Sequence, residues 1–281
     1  MKKALADIAL RHAARFRKQL SVYRAHPTIG EMHTLRIDMK AIRSLCFLLE
    51  AAGQHRDSKA LHRTIRKLFA RAGRIREWQL QAAWLRHHHL PTLYRSQHFP
   101  TQLASAHSAF LRHGQRKGKF IDALGKRLAR GMQHLDRRKA GDYFVSLVDD
   151  LCQVLHPRTP ASQWHDLRKK IKRLVHAYRW LTSNRKAPEV VRIFIGDMDA
   201  LQALIGNWHD LQEMMQVLQH WKPGPDAPPD FPKALRKAKQ TCRQEMDQAT
   251  QVVQQKLTEL HNRWIRPSKS GSHRPGSAMG H

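Results

Sequence analysis

Acid is what this sequence is short of: 22 Asp and Glu stand against 51 Lys and Arg, a formal charge of +29 over 281 residues. Such a charge repels itself and says little about fold, but the partner that would relieve it is a polyanion. Cysteine is scarce as well. Cys46, Cys152 and Cys242 fall at apolar helical positions without metal-ligand spacing, which suits free buried thiols in a reducing compartment rather than a disulfide framework. No apolar run reaches the roughly 18 residues that a membrane-spanning helix needs. The first residues are basic at Lys2 and Lys3 but are interrupted by Asp7, Arg11, His12 and Arg15, so they do not read as a signal peptide. The expectation is a cytoplasmic chain with no membrane partner. No segment alternates apolar and polar residues as a half-buried strand does.

The signatures of catalysis are missing too. There is no His-Glu-x-x-His, no P-loop, no nucleophile elbow, and no acidic cluster to hold magnesium against a phosphate chain. The Glu-x-Glu-x-Lys strand of triphosphate-tunnel hydrolases is absent. The run His87-His88-His89 lacks the carboxylates or cysteines of a dedicated metal site. Gly73 and Gly206 read as points of close helix packing, since no strand precedes them to make a phosphate loop. The chain is therefore expected to be no enzyme and to need no cofactor or metal.

What is present is a repeated basic helix. At about 100° per residue, His33, Arg36, Lys40 and Arg43 share roughly a quarter of a helix circumference, while Leu35, Met39, Ile42, Leu45 and Leu49 fall opposite. The design returns 132 residues on. His165, Arg168 and Lys172 repeat His33, Arg36 and Lys40, and Leu167, Ile171, Leu174, Ala177 and Leu181 repeat the apolar arc. His176 and Arg179 continue the second basic stripe. A second block, Leu68, Gly73, Arg76, Glu77 and Gln79, matches Leu201, Gly206, His209, Asp210 and Gln212 at an offset of 133. Two blocks at nearly one spacing argue for an internal duplication.

The periodicity predicts helices over 4–26, from near His33 to Gly53, and over 57–90, with a loop from Pro91 to Pro100. A fourth helix is expected over 101–138, broken or loosened near Gly114 and Gly118. The second set covers 141–156, 163–183, 188–221 and 232–266, with a proline-rich loop before the last. Further basic faces lie at Arg63 and Arg66 on the third helix, at Lys119, Lys126, Arg130 and Arg137 as one stripe on the fourth, and at Arg236, Lys239 and Arg243 on the last. Arg grips phosphate oxygens in pairs and Lys supplies a compact charge. Neighbours on a helix face stand about 5 to 6 Å apart, so such rows can follow a flexible polymer charged at every unit. The first 139 residues hold 30 Lys and Arg against 8 acids and the rest 21 against 14, so the denser contacts are expected in the first half.

The His-x-x-Arg pattern with a basic residue four further on, near the start of each repeat, resembles the CHAD family, the conserved histidine α-helical domain. The blocks ending Arg76-Glu77 and His209-Asp210 resemble its second helix, and the similarity covers roughly residues 1 to 266. Val175 and His176 depart from the family's frequent Arg and Tyr. The resemblance implies an all-α fold of two four-helix bundles, pseudo-twofold related, that binds inorganic polyphosphate in a basic groove between them. The bundles would be residues 1–139 and 140–266, with 267–281 a disordered tail, and polyphosphate granules in a prokaryotic cytoplasm would be the setting. Two rival readings are an RNA- or DNA-binding protein using the same basic surface, and an enzyme of polyphosphate metabolism. Few aromatics on the basic faces and no base-reading module weigh against the first, and missing metal ligands against the second.

Overall fold

The computed structural model describes residues 2–53, 55–96, 99–182, 187–223 and 227–266; the expected tail at 267–281 lies outside them. Every regular element among these residues is a helix. They are α1 (Lys2–Ala25), α2 (Ile29–Ala51), α3 (His55–His87), α4 (Pro91–Ser96), α5 (Phe99–Arg116), α6 (Gly118–Gln133), α7 (Arg137–Cys152), α8 (Ala161–Leu181), α9 (Glu189–His220) and α10 (Phe231–Trp264). The fold is all-α.

Local chemistry sets the ends. Thr28 caps α2, its side chain accepting the Glu31 N–H at 3.2 Å, and the Thr-x-x-Glu spacing is that of a capping box. Gly53, at φ 90°, stops the helix in the left-handed conformation that glycine adopts without steric cost. The segment expected as a loop from Pro91 to Pro100 instead starts two helices. Pro91 opens α4 and Pro100 sits in the first turn of α5, where a missing N–H costs nothing. The expected fourth helix is two, α5 and α6, meeting at Lys117 next to Gly118.

The chain forms two compact units, one of Met1–Ala140 with Lys222–Leu235, the other of Gly141–Trp221 with α10 from Arg236. In the first, α1 packs on α2 and α6, α2 on α3, and α3 on α5. Asp230 joins this unit through a hydrogen bond from the Thr92 hydroxyl at 3.0 Å. Leu5, Phe16, Tyr23, Leu35, Met39 and Ile42 are all fully buried. Asp38 lies among them, also fully buried, and takes up His12 Nδ1 at 2.9 Å and Arg15 Nη2 at 3.0 Å from α1. A buried carboxylate requires such partners, and removing them would leave an uncompensated charge.

The second unit closes one core from α7, α8, α9 and α10, from Phe144 and Leu151 through Trp164 and Ile171 to Met198, Ile205 and Leu257. Trp164 packs edge-on to Trp208, centroids 4.9 Å apart, and donates its indole N–H to the Thr159 carbonyl at 2.9 Å. That bond anchors the α7–α8 connection to the core. Asp197 on α9 accepts from Arg263 and from the Trp264 indole, both at 2.9 Å, and ties down the end of α10. The three cysteines are free, with Cys46 and Cys242 buried. Burial pushes the Cys46 thiol up to about 12 and the Cys242 thiol to about 11, so neither is a reactive thiolate near neutral pH.

Candidate functional site

α2 buries Leu35, Met39, Ile42, Leu45 and Leu49, which turns His33, Arg36, Lys40 and Arg43 toward its other side. His33 is exposed and the other three are half-buried. The reason lies in α3. The Arg36 and Arg43 guanidinium carbons stand 4.4 and 4.6 Å from the Phe69 ring centroid, one cation-π contact each. Arg36 Nη1 also reaches the Phe69 carbonyl at 3.5 Å. A Cβ built on Gly73 would sit 3.5 Å from that Nη1 and 3.7 Å from Glu77 Oε1, so arginine and carboxylate converge over the bare glycine. The pKa of His33 is pushed down, first by burial, then by Arg76, Lys40 and Arg36. All three of those neighbours are positive.

α8 and α9 repeat the geometry more tightly. Arg168 is half-buried and donates through Nε to the Gln202 carbonyl at 3.3 Å. Burial pulls its pKa down and Asp210 opposes the shift. A Cβ on Gly206 would lie 2.6 Å from Nη2 and 3.1 Å from Cζ. In each unit the carbonyl that receives the arginine belongs to the residue four before the glycine. Helix geometry already pairs that carbonyl with the glycine's own N–H. A carbonyl has a second lone pair, and the absent Cβ lets a guanidinium reach it. Gly73 and Gly206 are thus close-packing glycines, and what packs on them is an arginine.

The histidines of this face also correspond. His165 and His209 lie ring to ring, centroids 4.7 Å apart, where the first unit sets His33 near Arg76. His165 Nδ1 and His209 Nδ1 are buried without a hydrogen-bond partner. Burial, Lys169, His209 and Arg168 lower the His165 pKa against Asp166. Lys172 and His176 are half-buried on α8, and exposed Arg179 pairs with Asp199 at 3.0 Å.

The remaining basic residues divide. Arg63 and Arg66 are exposed on α3, and Lys119, Lys126 and Arg130 are exposed along α6. Arg137 does not extend that stripe. Asp136 Oδ1 accepts the Arg138 and Lys139 N–H groups at 2.9 and 3.3 Å, the pattern of an N-cap, so Arg137 is the first residue of α7. On α10, Arg236 and Arg243 are exposed and Lys239 is half-buried. Phe69, which bears two guanidinium groups, carries no signal of that role in the sequence. Asp38 does carry one, as a single acid inside an apolar arc.

The fold and this face define a strongly basic all-α protein whose arginines are clamped on helix carbonyls beside paired histidine positions. The chain belongs to the CHAD domain family, whose model matches residues 4–219, that is α1 through α9. It is similar in fold to the crystal structure of the CHAD domain from the plant Ricinus communis, with a TM-score of 0.74 and 17% identity over 93% of this chain and 91% of that one. No curated protein matches the chain in sequence.

Proposed function

We propose that this protein binds inorganic polyphosphate without acting on it, through the basic faces of α2 with α3 and of α8 with α9. The observation that carries the reading is the surroundings of His33: Arg76, Lys40 and Arg36 act on one imidazole, all with the same sign. Cations gathered about one imidazole on two helices draw a polyanion, and one laid across them favours the charged form of that imidazole. Inorganic polyphosphate offers a charge at each repeat and no bases to be read, which fits rows of Arg and Lys with few aromatic platforms. The family resemblance points the same way and suggests polyphosphate granules as the place of action. Among the described residues no helix is long and apolar enough to cross a membrane, and no group of three or more His, Cys, Asp or Glu could hold a metal ion. Calorimetric titration with long-chain polyphosphate at physiological salt tests the reading. Saturable binding is expected, and no heat or shift at micromolar protein overturns it.

A further inference from the structure

The first unit carries a second basic face on α3. At about 100° per residue, Lys67 and Arg71 lie roughly on the opposite side of that helix from Phe69, Gly73 and Arg76. α3 packs on α5, whose last turn supplies His113 and Arg116, with Lys117 immediately after. His113 Nε2 is shut off from solvent and has no hydrogen-bond partner. Burial first, then Arg71, Lys117, Lys67 and Arg116, bear on this one ring. None of those four cations makes an ion pair among the described residues, and 58–76 and 101–121 contain no Asp or Glu.

The end of α5 by itself favours cations, because helix carbonyls carry the negative pole there. That accounts for Arg116 but not for Lys67 and Arg71, which come from the middle of α3. Nor is the cluster a general feature of the two halves. Counting 133 residues on from Lys67 and Arg71 gives Ala200 and Leu204, and Leu204 packs against the second unit's core. Arg116 and Lys117 follow His113 by three and four residues, and Lys67 and Arg71 stand four apart on α3, so each pair shares a helix face; cations gathered on two packed helices beside a buried, unpartnered imidazole nitrogen suit an anion with several oxygens.

We infer that Lys67, Arg71, His113, Arg116 and Lys117 form a second phosphate-binding site, private to the first unit, for a phosphoryl oxyanion carrying two or more charges. Arg71 and Arg116 would grip its oxygens, Lys67 and Lys117 would balance its charge, and protonated His113 Nε2 would donate to it. The inference rests on the polyphosphate reading for the source of that phosphate, a chain crossing from the His33 face or a short free one.

The test follows the imidazole ¹⁵N signals of the full chain during titration with tripolyphosphate, with His113 assigned through H113Q and His33 through H33Q. A saturable shift of His113 is expected, weakened at least tenfold in K67Q/R71Q while the His33 response stays within about twofold. These side chains lie on helix surfaces, and circular dichroism verifies that the variant is folded. An unmoved His113 signal at saturating tripolyphosphate overturns the site, as does a shift that K67Q/R71Q leaves intact. A His113 response with no response at His33 or His165 keeps this site and sinks the polyphosphate-binding face; the reverse pattern sinks this site alone. Long-chain polyphosphate titrated in parallel separates the sources: a tighter His113 response to the long chain marks a continuous polymer, equal affinities a short free phosphate.

Discussion

Arg168 stands where a side chain on residue 206 would have to go, its Nη2 2.6 Å from the Cβ that Gly206 lacks. In the first unit the matching distance, from Arg36 to Gly73, is 3.5 Å. The same relation is therefore tight in one place and at ordinary contact in the other, and the two glycines should answer differently to the same change. Ala gains about 1 kcal/mol over Gly in a helix. Gly73→Ala is expected to be neutral or slightly stabilising. Gly206→Ala must displace Arg168 from the Gln202 carbonyl and loses a charge-assisted bond worth roughly 1.5 to 3 kcal/mol. Because the helix-propensity gain is common to both, urea unfolding should place Gly206→Ala roughly 1.5 to 3 kcal/mol below Gly73→Ala; equal midpoints would mean that Arg168 does not depend on the bare glycine.

Arg36 and Arg168 each reach a helix carbonyl of the neighbouring helix and are the repeated cations of the two basic faces. Replacing both with Ala should weaken polyphosphate binding by well over tenfold, since two contacts of roughly 1.5 to 3 kcal/mol would go. It should also lower the melting temperature, while far-UV helicity is retained. Unchanged affinity in the folded double variant would put the ligand elsewhere.

The pH dependence follows from the direction of two shifts. His33 and His165 titrate below the ordinary histidine value of 6.5 because burial and neighbouring cations disfavour the imidazolium. In the free protein the unfolded chain thus holds more protons in this window. The stability these two histidines contribute is fully present above pH 6.5 and is lost as pH falls below it. A bound polyanion favours the charged form, so affinity should climb as pH falls through the histidine range and level off once both imidazoles are charged in the free protein as well. Binding curves for H33Q/H165Q should be flatter over the acid range; parallel curves for variant and parent would make both histidines structural.

Exposed cations release counterions in proportion to the phosphates they neutralise. Arg63 and Arg66 on α3 and Lys119, Lys126 and Arg130 on α6 are exposed in the first unit, whereas in the second Arg179 is tied to Asp199. Per charge removed, changes at Arg63, Lys126 and Arg130 should therefore flatten the slope of log affinity against log salt more than changes at Lys239 and Arg243. Equal or reversed slopes would contradict the asymmetry.

Much of the fold was legible because the apolar arcs are unambiguous. Leu35, Met39, Ile42, Leu45 and Leu49, and later Leu167, Ile171, Leu174 and Ala177, were assigned inward from period alone and are buried. The break beside Gly118 follows from helix propensity, whereas the helices that start at Pro91 and after Asp136 do not: Pro91 reads as the start of a loop, and the apolar period over 101–138 runs through Asp136 without a sign of its capping role. The basic stripes were visible for the same reason as the core. The docking of Arg36 and Arg168 on carbonyls of α3 and α9 was not, since that pairing spans 33 and 34 residues and depends on which helix face meets which. Asp38 was hidden similarly: its partners His12 and Arg15 sit on α1, 26 and 23 residues away.

The most direct test is displacement of labelled long-chain polyphosphate from the full chain at physiological salt by unlabelled polyphosphate, RNA or heparin, compared at equal concentrations of negative charge. Unlabelled polyphosphate should displace the probe at least tenfold more effectively than either competitor, because the arginine forks and histidines fit a phosphate chain without bases or sugars. Displacement by RNA at equal or lower charge concentration would contradict that claim.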